Sequence, residues 1–291
     1  MNFLNSYREG AEIVPPESFL FDDSVGSYSL RVIPMSLAWT QALVSVRGGN
    51  GVTDVYADSN GTISEASLTT NGDTFQDWNT SQQSDVYVNK WYAQNNANVI
   101  NTTRTLTSVD NATSPTLWRQ SLGFNYENGK VALSFDGSDE LKSATANTAL
   151  SSPSSLTITT VAKNTLASSN GQYFKTSNSI TAFNIAQNST TNKKCVGIAP
   201  YQLNSINTNT NLAQRILIFY KDGSTRSLAL NGVLQDTLTQ TNNWANDQIS
   251  IGSSFIGSIQ EVTISDNYYT NTLTDLANEI NDYYQTYYQT S

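Results

Sequence analysis

The sequence contains no histidine, and its 291 residues include one cysteine, two methionines and only 13% charged side chains. The absence of histidine excludes a Ser-His-Asp triad, a His-ligated zinc site and an imidazole general base. Cys195 is the single cysteine, so it cannot form an intrachain disulfide, and no Cys-x-x-Cys motif is present. Carboxylates are therefore the main acid–base chemistry that this chain offers.

The charge pattern limits the expected partners. The chain has 15 basic and 24 acidic side chains and a net charge of −9. The few Lys and Arg are scattered along the sequence, which predicts no nucleic-acid partner. No run approaches the roughly 18–20 apolar residues that span a bilayer, so no membrane insertion is expected. Residues 1–16 lack the basic and apolar regions of a signal peptide, which predicts synthesis in the host cytoplasm without secretion.

The first 26 residues form an irregular leader in this interpretation. They combine Pro15-Pro16 with acidic and aromatic residues, and they follow neither a strand nor a clear helix period. Their apolar side chains need a surface to cover them, either on the same domain or on another subunit. For the second alternative, the candidate attachment residues are Phe3, Leu4, Phe19, Leu20 and Phe21.

Residues 27–291 are predicted to be one elaborated β-domain. Ser, Thr, Asn, Gln and Tyr are abundant, and short apolar runs such as 130–135, 156–162 and 258–264 are separated by polar turns. The dipeptides Asp222-Gly223 and Asn231-Gly232 are typical of tight hairpins. This pattern predicts an all-β fold, an antiparallel sandwich of the jelly-roll type. The polar stretch 65–83 is expected to be a loop.

The end of the chain has a helical period. Thr272 and Asp275, three residues apart, form a capping-box arrangement at its start. The apolar residues that recur at helical spacing after Thr272 are Leu273, Leu276, Ala277, Ile280 and Tyr284. We therefore expect one C-terminal helix. The pairs Tyr283-Tyr284 and Tyr287-Tyr288 have the spacing of a packing face, with a sugar-stacking platform as the alternative.

The C-terminal half resembles laminin-G-like, concanavalin-A-like jelly-roll domains. The resemblance covers roughly residues 130–290 and rests on an ordered series of motifs: the turn 135–139 (FDGSD), the hairpin 227–233 (SLALNGV), the strand 249–252 (ISIG) and the strand 255–264 (FIGSIQEVTI). It implies a concanavalin-A-like sandwich closed by a helix.

The N-terminal half is similar to a pattern of α-L-arabinofuranosidase B catalytic domains, which many lectin-like phage and bacterial proteins share. The matching segments are 27–31, 42–47 with 53–55, and 88–94. The chain departs from the pattern at Ala93, where the pattern has an aspartate, and at 95–98, where it has a glycine turn.

The departures remove what glycoside hydrolysis needs. The stretch from Ser143 to Lys221, where the family's nucleophile would be expected, contains no Asp or Glu. Hydrolysis requires two carboxylates flanking the scissile bond. The acids that remain nearby lie in turn-like settings or near strand ends: Asp136, Asp139, Asp222 and Asp236. We therefore expect no enzyme activity, no catalytic residues and no cofactor. Without an Asp-x-Asp-x-Asp loop we also expect no metal.

Two non-catalytic functions stay open, and both can hold together. One is carbohydrate binding, with Tyr173, Tyr201 and Trp244 as stacking candidates; the alternative for each is that it caps the core. The other is a phage-type virion structural protein, such as a fibre, decoration or adhesin subunit. It would dock on other virion proteins through the leader, form homo-oligomers and bind host glycans. The alternatives are an arabinofuranosidase-type glycoside hydrolase and a cellular carbohydrate-binding module.

Overall fold

The computed structural model describes twelve parts of the chain, and of the strands between 184 and 204 it describes the backbone alone. These parts are residues 26–33, 39–95, 97–146, 150, 153–165, 171–176, 184–187, 194–198, 201–204, 213–239, 248–265 and 273–285. Within them, no helix has both the length and the apolar character needed to cross a membrane.

Strands dominate the described residues, as the composition predicts. The strands are β1 Gly26–Ser29, β2 Val44–Gly48, β3 Gly51–Val55, β4 Val86–Trp91, β5 Leu106–Thr107, β6 Thr116–Arg119, β7 Gly123–Phe124, β8 Tyr126–Glu127, β9 Lys130–Val131, β10 Leu133–Asp136, β11 Leu141–Ser143, β12 Ser155–Asn164, β13 Gln172–Thr176, β14 Asn184–Gln187, β15 Lys194–Ile198, β16 Tyr201–Asn204, β17 Arg215–Asp222, β18 Thr225–Leu230, β19 Val233–Thr239, β20 Ile249–Ile251 and β21 Ile256–Ser265. The helices are α1 Phe75–Thr80 and α2 Leu273–Tyr284, with a 3₁₀ turn at Asn111–Thr113.

The strands form a continuous antiparallel ladder that folds into two facing layers. The first layer runs β19-β18-β17-β12-β21, continues through β10 and β6 to β4, and ends in β2 and β3; β1 pairs with the far end of β21. The second layer runs β16-β15-β14-β13-β20-β11-β5 to the same β4. The two layers separate along β4, because Val86 and Tyr87 pair with β6 whereas Lys90 and Trp91 pair with β5. The predicted antiparallel sandwich is confirmed.

The main core fills the space between the layers. Phe174 and Ile251 of the second layer and Phe135 and Ile259 of the first belong to one buried apolar cluster. The ring centroids of Phe135 and Phe255 lie 5.9 Å apart in an edge arrangement, which is a favourable geometry for aromatic pairs. Alternation of buried and outward side chains along each strand thus produces a sandwich with an apolar interior.

The C-terminal helix lies on the outer face of the first layer, at the position that the helical spacing predicts. Its apolar stripe joins strand residues in a second cluster, which contains Ile33, Val161, Ile216, Ile218, Ala229, Leu276, Ala277, Ile280 and Tyr284. Tyr284 is buried, and the Tyr283 ring packs at 4.7 Å from it, so the first tyrosine pair is a packing face. Tyr287 and Tyr288 lie outside the described residues.

A buried charged cluster fixes this helix to the sheet. Glu261 on β21 is fully buried, and its Oε2 accepts hydrogen bonds from Arg31 Nε at 3.0 Å, the Tyr284 hydroxyl at 3.0 Å and the Ser29 hydroxyl at 2.8 Å. Burial raises the pKa of Tyr284, so its hydroxyl stays protonated and donates. Every charge here is paired, as burial requires.

The predicted hairpin at Asn231-Gly232 agrees with the structure, whereas two other local predictions need adjustment. The Asn231-Gly232 turn has φ values of +50° and +78°, as a type I′ hairpin requires. At the other hairpin Asp222 pairs with Thr225, so the loop is Gly223-Ser224 and the predicted turn is shifted by one residue. The stretch expected to be a loop contains α1, because Thr74 Oγ1 accepts the Asp77 N–H at 3.1 Å and Phe75 is buried.

Candidate functional site

The part of the first layer's outer face that α2 leaves uncovered carries a row of polar side chains. Directly opposed residues on neighbouring strands share a face of the sheet. The row runs across five strands through Tyr87, Thr116, Ser134, Ser258 and Lys163. The adjacent row, Leu133, Ile259 and Ala162, belongs to the buried core. The polar row therefore points away from the core.

A cleft of about 150 Å³ opens on this row. Its floor is the pair Ser134 and Ser258 on β10 and β21. Its wall is the segment that leads into the β8–β9 hairpin. The lining residues are Asn125, Tyr126, Glu127, Ser134, Phe135, Thr165, Gly257 and Ser258.

The β8–β9 hairpin holds the wall in place. Its turn, Asn128-Gly129, has φ values of +49° and +72°, a type I′ geometry that these residues favour. Asn128 Nδ2 donates to Gln214 Oε1 at 2.6 Å and to the Gln285 carbonyl at 3.1 Å. Gln260 Nε2 lies 3.0–3.2 Å from three hairpin carbonyl oxygens. These bonds fix the hairpin to the sheet and to the end of α2.

Tyr126 presents an open aromatic ring at the cleft. Its side chain is 56% exposed, and its ring packs edge-on against Phe124 at 6.2 Å. Partial burial raises the pKa of Tyr126, so its hydroxyl is neutral at physiological pH. An exposed aromatic ring held by a rigid hairpin is a suitable surface for stacking.

An ion pair connects Glu127, the residue after Tyr126, with β12. Lys163 Nζ, on β12, lies 2.7 Å from Glu127 Oε2, and these side chains are 33% and 17% exposed. The pair joins the hairpin to the floor of the cleft. It leaves a carboxylate oxygen as an acceptor and ammonium hydrogens as donors for a ligand.

Ser258 has an unsatisfied hydroxyl on the floor. Its residue is 6% exposed, and its Oγ has no hydrogen-bond partner within the described part of the chain. The neighbouring Gly257 allows β12 and β21 to approach closely, since a Cβ there would lie 2.1 Å from the Lys163 carbonyl oxygen. A buried polar group without a partner destabilises the fold.

Of the three predicted sugar-stacking residues, the structure describes the side chain of Tyr173. Tyr173 is 1% exposed, its hydroxyl donates to Asn164 Oδ1, and its ring lies 4.9 Å from that of Phe255. It therefore caps the core, and the expectation that it presents a stacking surface is corrected. Tyr201 begins β16, where only the backbone is described. Trp244 lies outside the described residues, as do the attachment candidates Phe3, Leu4, Phe19, Leu20 and Phe21.

The acids of the turn after β10 are held by local hydrogen bonds. Asp136 Oδ1 accepts from the Ser138 N–H at 2.9 Å and the Ser138 hydroxyl at 2.7 Å, and these bonds lower its pKa. Asp139 accepts the Asp136 N–H at 2.8 Å, and burial raises its pKa to about 6. Asp136 thus stabilises the turn after β10, as its Asp-Gly setting predicts. No group of three potential ligands (Asp, Glu, Cys) in the described ranges could hold a metal ion.

One sequence pattern, which the sequence analysis did not use, predicts the hairpin that forms the wall of the cleft. Asn128-Gly129 is as strong a hairpin dipeptide as those used above, and Tyr126 and Glu127 immediately precede it. Lys163 and Ser258 offered no local signal, because their approach to the hairpin depends on the pairing of distant strands.

Known structures share this fold. No protein-family model matches the chain, and no curated protein matches it. A GH54 α-L-arabinofuranosidase soaked with a cyclic sulfate inhibitor aligns with a TM-score of 0.58 and 10% identity, over 89% of this chain and 62% of that one. An arabinofuranosidase complexed with arabinofuranosyl-α-1,2-xylobiose aligns with a TM-score of 0.58 and 11% identity, over 89% and 61% of the two chains. The chain thus spans about three fifths of the length of these enzymes.

A third similar structure is domain 4 of AbnA, a GH43 extracellular arabinanase from Geobacillus stearothermophilus, in complex with arabinotriose. It has a TM-score of 0.42 and 18% identity, over 50% of this chain and 76% of that one, a likeness too low to carry an argument. The first two define the class at the level of fold. The chain has the β-sandwich fold found in these two arabinofuranosidases.

Proposed function

We propose that this protein binds carbohydrate without cleaving it, and that the sugar lies in the cleft beside Tyr126. The observation that carries the proposal is the buried, unpaired hydroxyl of Ser258 on the floor of a cleft whose rim carries an exposed aromatic ring. A polyhydroxylated ligand supplies both complements, an apolar C–H face for the ring and a hydroxyl for Ser258.

The cleft chemistry supports this assignment. In the bound state, a sugar ring stacks on Tyr126, and one hydroxyl exchanges a hydrogen bond with Ser258. The Glu127 carboxylate accepts from a second hydroxyl while Lys163 donates to a ring or hydroxyl oxygen. The sandwich fold shared with arabinofuranosidases agrees with a carbohydrate ligand.

Binding without hydrolysis is favoured by the number of acids in the lining. Glu127 is the one carboxylate among the residues that line the cleft, and it is paired with Lys163. Glycoside hydrolysis requires a second carboxylate across the scissile bond. The hydrolase alternative rests on the fold likeness to arabinofuranosidases, and release of arabinose from an arabinose-containing polysaccharide would establish it.

The test is a glycan array followed by calorimetry on the best ligand. We expect Tyr126→Ala to weaken binding about tenfold, because the stacking surface is removed. Tyr56→Ala is the matched control, since this partly exposed tyrosine does not line the cleft. The proposal fails if no glycan binds, or if both variants bind like the wild type.

The place of the protein on a phage-type virion remains a proposal from the sequence. It rests on the likeness of the N-terminal motifs to lectin-like phage proteins and on the apolar leader. In that setting, the leader would dock on other virion proteins and the cleft would face host glycans. Reconstitution of the wild type and a variant lacking residues 1–25 with virion proteins tests it, because only the wild type should assemble.

A further inference from the structure

Three lysines that are distant in the sequence align on the outer face of the second layer. Lys175 on β13 and Lys142 on β11 both lie opposite Ser250 on β20. Thr107 on β5 lies opposite both Lys142 and Lys90. We call the five residues Lys175, Ser250, Lys142, Thr107 and Lys90 the lysine row. The sequence, in which Lys and Arg are scattered, predicted no basic stripe, and register creates a short one.

The lysine row points away from the core. Phe174, Leu141 and Trp91, each adjacent in the chain to one of the lysines, are buried in the sandwich interior. Side chains alternate between faces, so the three lysines lie on the opposite, outer side. Neighbouring strands are about 4.8 Å apart, and the lysines occupy every second strand. Their backbone positions are therefore about 10 Å apart.

One carboxylate lies within the row: Glu140 accepts the Ser250 hydroxyl, and Lys175 and Lys142 both help to lower its pKa. Lys175 Nζ lies 3.3 Å from Glu140 Oε1 and donates to the Ser253 hydroxyl at 2.7 Å. Among the described residues, neither Lys142 nor Lys90 has a carboxylate oxygen within 4.0 Å. The row is thus a positive strip in a chain of net charge −9.

Beyond β4, the residue opposite Lys90 is Ser45 on β2, whereas Arg47 lies opposite Tyr87. Arg47 Nη2 donates to Asn89 Oδ1 at 2.6 Å, which is a neutral partner. Asp54 on β3 is the acid at the end of this face, and it accepts the Tyr92 hydroxyl at 2.8 Å.

We infer that the lysine row binds a linear acidic polysaccharide that carries a carboxylate on alternate sugars. A chain lying across the strands would place successive carboxylates against Lys142 and Lys90. A nucleic acid fits less well, because each strand of a duplex carries one phosphate per about 3.4 Å of helix axis. The row also contains no aromatic side chain on which bases could stack. This surface is on the opposite layer from the cleft and is independent of it.

The test is calorimetry of the full chain with a hyaluronan oligosaccharide, whose carboxylates lie on alternate sugars. Dextran and a single-stranded oligothymidylate are the comparison ligands. We expect hyaluronan to bind and added salt to weaken it. Lys142→Gln and Lys90→Gln should each weaken hyaluronan binding about threefold at low salt. Lys130→Gln makes the same charge change on another face of the protein and should leave binding unchanged.

Folding of each variant is checked by its thermal unfolding curve, since the row lysines are half-buried. Glu140→Gln should have the opposite effect. It removes the carboxylate that pairs with Lys175, so hyaluronan should bind more tightly. The inference is overturned if hyaluronan does not bind, if Lys130→Gln weakens binding as much as the row variants do, or if the row variants weaken dextran binding to the same extent. Tighter binding of the oligothymidylate, lost in the same variants, would instead make the row a nucleic-acid surface.

Discussion

At the scale of single residues, buried serine hydroxyls differ in whether the fold gives them a hydrogen-bond partner. Ser227 is buried and its hydroxyl bonds with that of Thr237 at 3.0 Å. Ser258 is buried in a similar strand environment and has no partner in the described residues. In the proposed function, a sugar hydroxyl supplies the hydrogen-bond partner that Ser258 lacks.

Replacing Ser258 by alanine should separate the two effects. We expect Ser258→Ala to raise the free energy of unfolding by up to about 1 kcal/mol, since an unpaired buried hydroxyl is removed, and to weaken glycan binding. Ser227→Ala is the matched control and should lower the free energy of unfolding by about 1 kcal/mol. Urea unfolding checks both values. A loss of stability in Ser258→Ala would show that its hydroxyl is already satisfied.

The buried Asp139 carboxyl predicts how the stability of the fold depends on pH. Burial raises its pKa to about 6, so the folded state holds a proton that the unfolded state releases near pH 4. Stability therefore falls as the pH rises from about 4 to about 6. Asp139→Asn can still accept the Asp136 N–H, and it should remove this fall and add about 2 kcal/mol at pH 7.

Urea unfolding across this pH range measures the slope. Asp136→Asn is the control of opposite sign, because the pKa of Asp136 is lowered and its ionised form stabilises the fold above pH 4. An unchanged slope in Asp139→Asn would contradict the account of this turn.

At the scale of elements, local sequence patterns predicted the secondary structure of most segments, whereas the pairing of distant strands determined which side chains lie together. The apolar runs and the Asn231-Gly232 turn predicted strands and a hairpin, and the helical spacing predicted α2. The short helix α1 was not predicted, because its six residues are stabilised by the Thr74 cap and by burial of Phe75 rather than by a long apolar period. The cleft and the lysine row could not be predicted, since both depend on strand register.

The cluster around Glu261 makes α2 part of the fold. We expect Glu261→Gln to lower the free energy of unfolding by about 3 kcal/mol, because Arg31 would remain buried without a counter-charge. Glu140→Gln is the control, since its ion pair is partly exposed and should contribute less than about 1 kcal/mol. Equal losses in the two variants would show that the buried cluster has no special role.

At the scale of the whole molecule, the two layers of the sandwich present different chemistry. The first layer is covered by α2 on one part of its outer face and carries the cleft on the other. The second layer carries the lysine row. Because the core lies between them, a ligand on one face need not contact the other, and the two surfaces can be tested separately.

The most direct test of the central claim is an NMR titration of the isotopically labelled full chain with a pool of oligosaccharides. The account predicts that the largest amide shifts occur at residues 125–127, 134 and 257–258, and that they disappear in Tyr126→Ala. No shift with any oligosaccharide, or shifts confined to residues outside the cleft, would contradict it.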